Sequence, residues 1–179
     1  MAKGYMIEKR ISAKDVEALN RSAICSTDVD GGTLVSVGAY SNGVWTVTKA
    51  TSGQGLWMAY NPSEHLTKLD DGKIFAGLSA DPRDYTNLAN RPMDIFKLQA
   101  GVDVIALTDG NIKSTDIASV EVGKFLEQGN EGFEVKSVAT ASTTSLKVVA
   151  IETMPFPNAD TTSIGMEFAK VYICEVAQN

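Results

Sequence analysis

Residues 34–50 read Leu-Val-Ser-Val-Gly-Ala-Tyr-Ser-Asn-Gly-Val-Trp-Thr-Val-Thr-Lys-Ala, and this stretch decides the fold class. Asn42-Gly43 lies between two runs rich in β-branched and aromatic residues. Both central residues of a type I′ turn need positive φ, which Asn and Gly tolerate, so the pair predicts a two-residue hairpin. That turn sets Tyr40 opposite Trp45 and Gly38 opposite Val47 on one face. Val37 then faces Thr48, and Ala39 faces Thr46, on the other. A cross-strand aromatic pair such as Tyr40–Trp45 contributes roughly 0.2–1 kcal/mol.

Further strand patterns fill the C-terminal half, at Val102–Leu107, Val122–Leu126, Phe133–Val138, Leu146–Ile151 and Phe168–Val176. Turn-forming runs separate them: Asp109-Gly110-Asn111, Gly129-Asn130-Glu131-Gly132 and the Ala-Ser-Thr-Thr-Ser run at 141–145. Short strands at regular spacing predict a mainly β protein, an antiparallel barrel or sandwich. Val148-Val149-Ala150-Ile151 and Val171-Tyr172-Ile173-Cys174 are apolar at consecutive positions, as in strands covered on both faces. One short helix is expected over residues 13–20, with Ser12 and Asp15 as a weak capping box and Ile11 and Val16 as a hydrophobic staple. Residues 1–10 then form either an arm that reaches a neighbouring subunit or an ordered first strand.

The chain has 179 residues and reads as one domain: an arm and helix over 1–22, a hairpin and ordered loop over 23–92, and a strand-dense region over 93–179. A formal net charge of −6 and the absence of a basic cluster argue against nucleic acid as a partner. No apolar run approaches the roughly 20 residues of a membrane-spanning helix, and the N-terminal residues lack the apolar segment of a signal peptide. Cys25 and Cys174 stand far apart in apolar surroundings and are expected to be small buried hydrophobes.

Candidate chemistry is sparse. His65 is the sole histidine, which excludes a metal site built from two histidines of one chain. No G-x-S-x-G elbow supplies a nucleophile for it. Asp28 and Asp30 imitate the first ligands of an EF-hand loop. Gly31-Gly32 then comes too early, and Ala39 stands where the loop needs Glu, so Asp-Gly-Gly reads as a turn. Gly53 and Gly55 lack the third glycine of a dinucleotide site. Asp70, Asp71, Asp81 and Asp84 are carboxylates by composition alone, more suited to exposed turns than to acid–base work. The chain is therefore read as a non-enzyme without cofactor or metal. Trp45, Trp57, Tyr40 and Tyr60 either fill a core or form a platform for sugar or peptide.

Residues 77–92, Gly-Leu-Ser-Ala-Asp-Pro-Arg-Asp-Tyr-Thr-Asn-Leu-Ala-Asn-Arg-Pro, form a balanced, proline-stiffened stretch. Asp81-Pro82-Arg83-Asp84 suits a type I turn, and Pro82 and Pro92 restrict their preceding residues as well. The segment is expected to be a structured connection that holds a shape for docking.

FAGLSADPRDYTNLANRPMDIFKLQAGVDVIALTDG (75–110), VEVGKFLEQGNEGFEVKSV (120–138) and SLKVVAIET (145–153) together resemble the head decoration, or cement, proteins of tailed bacteriophages. The likeness covers residues 73 to 152 approximately. It implies a β-rich virion protein, made in the host cytoplasm, that binds the outside of the mature head and reinforces contacts between capsid subunits. The implied partners are the major capsid protein and further copies of the chain, a trimer being one option. Arg83, Asp84, Tyr85, Arg91, Trp45 and Trp57 are the candidates to shape or line its capsid or subunit interface. Other virion parts, such as a tail tube subunit or head fibre base, and a carbohydrate- or peptide-binding β module remain alternatives.

Overall fold

A computed structural model describes residues 3–68, 71–77, 79–129, 132–136, 141, 143–157 and 165–179. Asp70, the Asn130-Glu131 turn and the end of the strand expected to reach Val138 lie outside the described residues. In chain order the strands are β1 (Met6–Arg10), β2 (Asn20–Cys25), β3 (Leu34–Ser41), β4 (Val44–Lys49) and β5 (Trp57–Ala59). There follow β6 (Leu66–Lys68), β7 (Ile74–Ala76), β8 (Pro92–Lys97) and β9 (Val104–Thr108). The last four are β10 (Phe125–Gly129), β11 (Gly132–Lys136), β12 (Ser145–Pro157) and β13 (Met166–Gln178).

Five strands close a small barrel in the order β2-β4-β3-β5-β8. Its pairs are antiparallel except β2–β4, which run parallel with Ala23 beside Trp45 and Cys25 beside Val47. Alternation along the strands separates the two sides of the wall. Val35, Trp57, Ala59, Met93 and Ile95 fill the interior with Ala23, Cys25 and Val47. Leu34, Met58 and Phe96, their immediate neighbours in sequence, point outward into a second core.

That second core lies against a six-stranded antiparallel sheet of order β1-β9-β13-β12-β10-β11. Ile105, Leu107, Leu126, Leu146, Tyr172, Cys174 and Val176 supply its buried face. The architecture is thus a closed barrel packed on an antiparallel sheet, with β6 and β7 as a separate two-stranded ribbon. The chain leaves the sheet after β1, builds the barrel and returns at β9, where Arg10 pairs with Val104.

The hairpin turn forms as expected, with φ of 53° at Asn42 and 85° at Gly43. Tyr40 pairs with Trp45, their ring centroids 5.2 Å apart. Below that pair the register differs from expectation: Val37 meets Val47 and Ser36 meets Thr48. A bulge at Gly38-Ala39 is responsible, and the Thr46 hydroxyl donates to the Ala39 carbonyl across it (3.0 Å). The one-residue shift has a packing reason. It lets Val35, Val37, Trp45 and Val47 all reach the barrel interior cluster, which a strict ladder would not allow.

The N-terminal helix is a correction. Two single 3-10 turns, Ser12–Lys14 and Glu17–Leu19, stand in its place. Ile11 rather than Ser12 precedes the first turn, and Val16 is extended and exposed instead of stapled to Ile11. Side chains take over the backbone groups that a helix would have used. The Ser12 N–H donates to Asp103 Oδ1 (2.7 Å), and Asn20 Nδ2 donates to the Ala13 carbonyl. With so few residues to offset nucleation, the local alternative wins.

The apolar runs at 148–151 and 171–174 are covered unevenly. Val148, Val171, Tyr172 and Cys174 are buried, but Val149, the extra residue of a second bulge, and Ile151 are exposed. Cys25 and Cys174 are free, buried thiols in different cores, and burial pushes the Cys174 thiol far up. Among the described residues no helix is long and apolar enough to cross a membrane.

Candidate functional site

The proline-stiffened connection folds onto a single buried cation. Pro82–Asp84 make a 3-10 turn whose preceding residue, Asp81, accepts the Arg83 N–H on Oδ1 (2.8 Å). The same carboxylate then receives the guanidinium. Arg83 Nε lies 3.0 Å from both Asp81 oxygens, and Nη2 lies 2.7 Å from Oδ2. Nη2 also donates to Glu167 Oε2 of β13 at 2.6 Å. The guanidinium stacks over the Phe156 ring of β12, its carbon 4.5 Å from the centroid, and Tyr5 meets that ring edge-on at 6.2 Å. Arg83 and Asp81 are each 4% exposed. Asp81 first, and then Glu167, hold the Arg83 pKa above its ordinary value against the opposing effect of burial.

The rest of the connection is tied as tightly. The Ser79 N–H donates to Tyr85 Oη (2.8 Å), the Tyr85 hydroxyl returns a bond to the Ser79 carbonyl, and the Ser79 hydroxyl donates to Asp84. His65 stacks flat on Tyr85, with centroids 4.6 Å apart. Asp30 accepts the Thr86 hydroxyl (2.6 Å) and the Gly4 N–H (3.0 Å), and Asp28 accepts the Ala89 N–H (2.7 Å). The carboxylates of the calcium-like run are therefore engaged by N–H and O–H donors of the loop and the N-terminal segment. Among the described residues no group of three or more His, Cys, Asp or Glu side chains converges.

The N-terminal segment lies across this connection, held largely by side chains. The Lys3 N–H reaches the Arg83 carbonyl (3.1 Å), and the Tyr5 N–H reaches Asn111 Oδ1 (3.0 Å). Asn61 acts as a strand surrogate for Met6, accepting its N–H at 2.9 Å and donating Nδ2 to its carbonyl at 2.6 Å. Of the two expectations for residues 1–10, the ordered first strand is the one seen within the chain, as β1 paired with β9.

The candidate interface residues fall into three settings. Arg83, Tyr85 and Trp57 are buried, so within the chain they shape the surface from beneath. Asp84 and Trp45 are half-buried. Arg91 is exposed, 3.8 Å from Glu64, in a groove of ≈ 260 Å³ that it shares with Leu88, Met93 and Asp94. Trp45 and Trp57 do come together, but around Arg21, whose guanidinium carbon lies 4.2 Å and 4.4 Å from their ring centroids. One face of each ring is thus taken by the chain's own cation.

Sequence reading missed Phe156 and Glu167, the ribbon half of the Arg83 node, together with Arg21 and Asn61. One signal was present: Pro155 and Pro157 are two residues apart, the spacing that places both on one edge of a strand. The paired strands run on to Pro157 and Met166 and project beyond β9 and β10 as a two-stranded ribbon. On it Met166 is 57% and Phe168 70% exposed. No family model, no curated protein and no solved structure matches the chain.

Proposed function

We propose that the chain is a structural virion protein, a decoration protein that binds the outer surface of a mature phage head and stabilises it. The observation that carries the reading is the β12–β13 ribbon. It presents Met166 and Phe168 to the outside while buried Arg83 holds its far end, at the Phe156–Glu167 pair, to the body of the protein. Large exposed apolar side chains on a stiff projection suit a surface that is completed by assembly. Ile74 and Phe75 on the β6–β7 ribbon add a second exposed pair. A rigid docking element loses little conformational freedom on binding, which favours many weak, identical contacts around a shell. The major capsid protein is the partner in this reading. The sugar-platform alternative is weakened by Arg21, which already occupies the space between Trp45 and Trp57.

The test is native sedimentation of particles from the source. The expected result is co-sedimentation at stoichiometric copy number with a major shell protein, with the chain on the head by electron microscopy. A chain that stays in the soluble fraction overturns the proposal.

A further inference from the structure

The two edges of the projecting ribbon are unlike. β13 directs the N–H and C=O of Val176 toward the β9 side, where they bond to Asp103 and Gly101. Backbone direction alternates along a strand, so Met166, Phe168 and Lys170 point their N–H and C=O to that same side. There β9 has ended, since its last partner on β13 is Val171. Among the described residues no strand pairs with this side of Met166–Lys170. On the opposite edge the outward positions of β12 include Pro155 and Pro157, which pair with Phe168 and Met166 and have no N–H to offer. One edge is closed to strand addition and the other is open.

We propose that the open edge of β13 pairs antiparallel with the same edge of a second copy of this chain, about a two-fold axis at Phe168. The inference concerns the chain alone and stands apart from its attachment to a capsid. Three features commit the edge to a second copy. First, the prolines bar a β13 edge from meeting a β12 edge, the head-to-tail contact that would grow an open filament; the isologous pair closes on itself. Second, the register sets no like charges directly opposite each other. Phe168 faces its counterpart, Met166 faces Lys170, and each Lys170 ammonium lies diagonally beside the other copy's Phe168 ring. Glu167, on the other face, pairs with its own Arg83 at 2.6 Å and opposes Ala169, so no like charges meet directly across the seam. Third, there is room: a groove of ≈ 300 Å³ runs beside this edge, bounded by Asp109, Ile117, Phe168 and Lys170. The small Ala169 faces the incoming Glu167.

Five residues of edge are far less than the about 1,200 Å² of a stable interface, so the pair is weak and is best trapped covalently. Directly opposed residues of a hydrogen-bonded pair have Cα atoms about 5.5 Å apart, within disulfide reach. Cys25 and Cys174 are buried and do not compete. The full-length chain carrying Phe168→Cys, oxidised with copper–phenanthroline, is expected to give a disulfide-linked dimer; Ala169→Cys, which faces Glu167 instead, is not. A mixture of Met166→Cys and Lys170→Cys chains should cross-link to each other and not to themselves. Adding Lys170→Pro to the Phe168→Cys chain removes an outward N–H, leaves the β12 ladder intact and should abolish the dimer. Equal cross-linking at 168 and 169, no cross-link at 168, or homodimers from the Met166→Cys and Lys170→Cys chains would each overturn the proposal.

Discussion

Replacing Arg83 with Ala strips the connection of its only buried cation among the described residues and leaves the Asp81 carboxylate, 4% exposed, without its guanidinium. Removing one member of a buried ion pair costs about 3–5 kcal/mol, because the remaining charge is neither solvated nor paired. Loss of the contact with Phe156 adds about 0.5–1 kcal/mol. The Glu167 end of the same node behaves differently. Its side chain is 57% exposed, and an ion pair open to water contributes about 0–1 kcal/mol. Arg83→Ala should therefore exceed Glu167→Gln by about 3 kcal/mol. For a chain of this size the Arg83→Ala loss corresponds to a Tm lowered by roughly 7–24 °C. Replacing the pair together, as Arg83→Met with Asp81→Leu, should recover most of that loss, since no orphaned charge is left. Urea denaturation of the four proteins measures the differences, read from midpoints at equal m-value. Arg83→Ala within about 1 kcal/mol of Glu167→Gln would refute the reasoning, as would a double variant no more stable than Arg83→Ala.

Asn61→Ala should lower stability by roughly 2–4 kcal/mol, because the buried N–H and C=O of Met6 both lose their partner; urea denaturation and faster hydrogen exchange at the Met6 amide report it, and an unchanged exchange rate counts against it. At alkaline pH, Tyr60 is pushed up to about 12, chiefly by burial and then by Glu8, and Tyr172 is raised by burial and by its hydrogen bond to Asp109. A folded-state pKa above the unfolded one means that this stabilisation is complete below pH about 10 and is lost as pH rises through about 12. Phenolate absorbance should therefore rise in two phases, the later one coinciding with unfolding, and a single phase completed before unfolding would contradict the assignment.

The elements that local chemistry controls were legible in the sequence. Asn42-Gly43 specified its turn and the Tyr40–Trp45 pair because positive φ at two adjacent residues is a local demand. The mainly β class followed from short strands at regular spacing between turn-forming runs. What escaped was set by partners distant in sequence. The bulge at Gly38-Ala39 exists so that Val35, Val37, Trp45 and Val47 meet inside a barrel whose closure also needs β8. The helix expected near residue 15 yields to Asp103, a residue from the far side of the barrel insertion. The strand expected over Leu146–Ile151 runs on to Pro157, because on a free edge the missing N–H of Pro155 and Pro157 breaks no ladder. Arg83 reads as surface by composition. Its inward course follows from Asp81 two residues before it and from Phe156 and Glu167 on a ribbon more than seventy residues later.

The chain's excursion between β1 and β9 has an entropic consequence. Pairing Arg10 with Val104 nominally closes a loop of about 90 residues, and the closure penalty of a flexible chain grows with the logarithm of that length. The intervening segment is not flexible once the barrel has formed. Its own ladder holds Asn20 beside Phe96, so the two ends of the excursion already lie together. The sheet then has only two short links left to order, residues 11–19 and 98–103. A contact that is remote by residue count becomes local by geometry, and the first strand joins the sheet at nearly the penalty of a short turn.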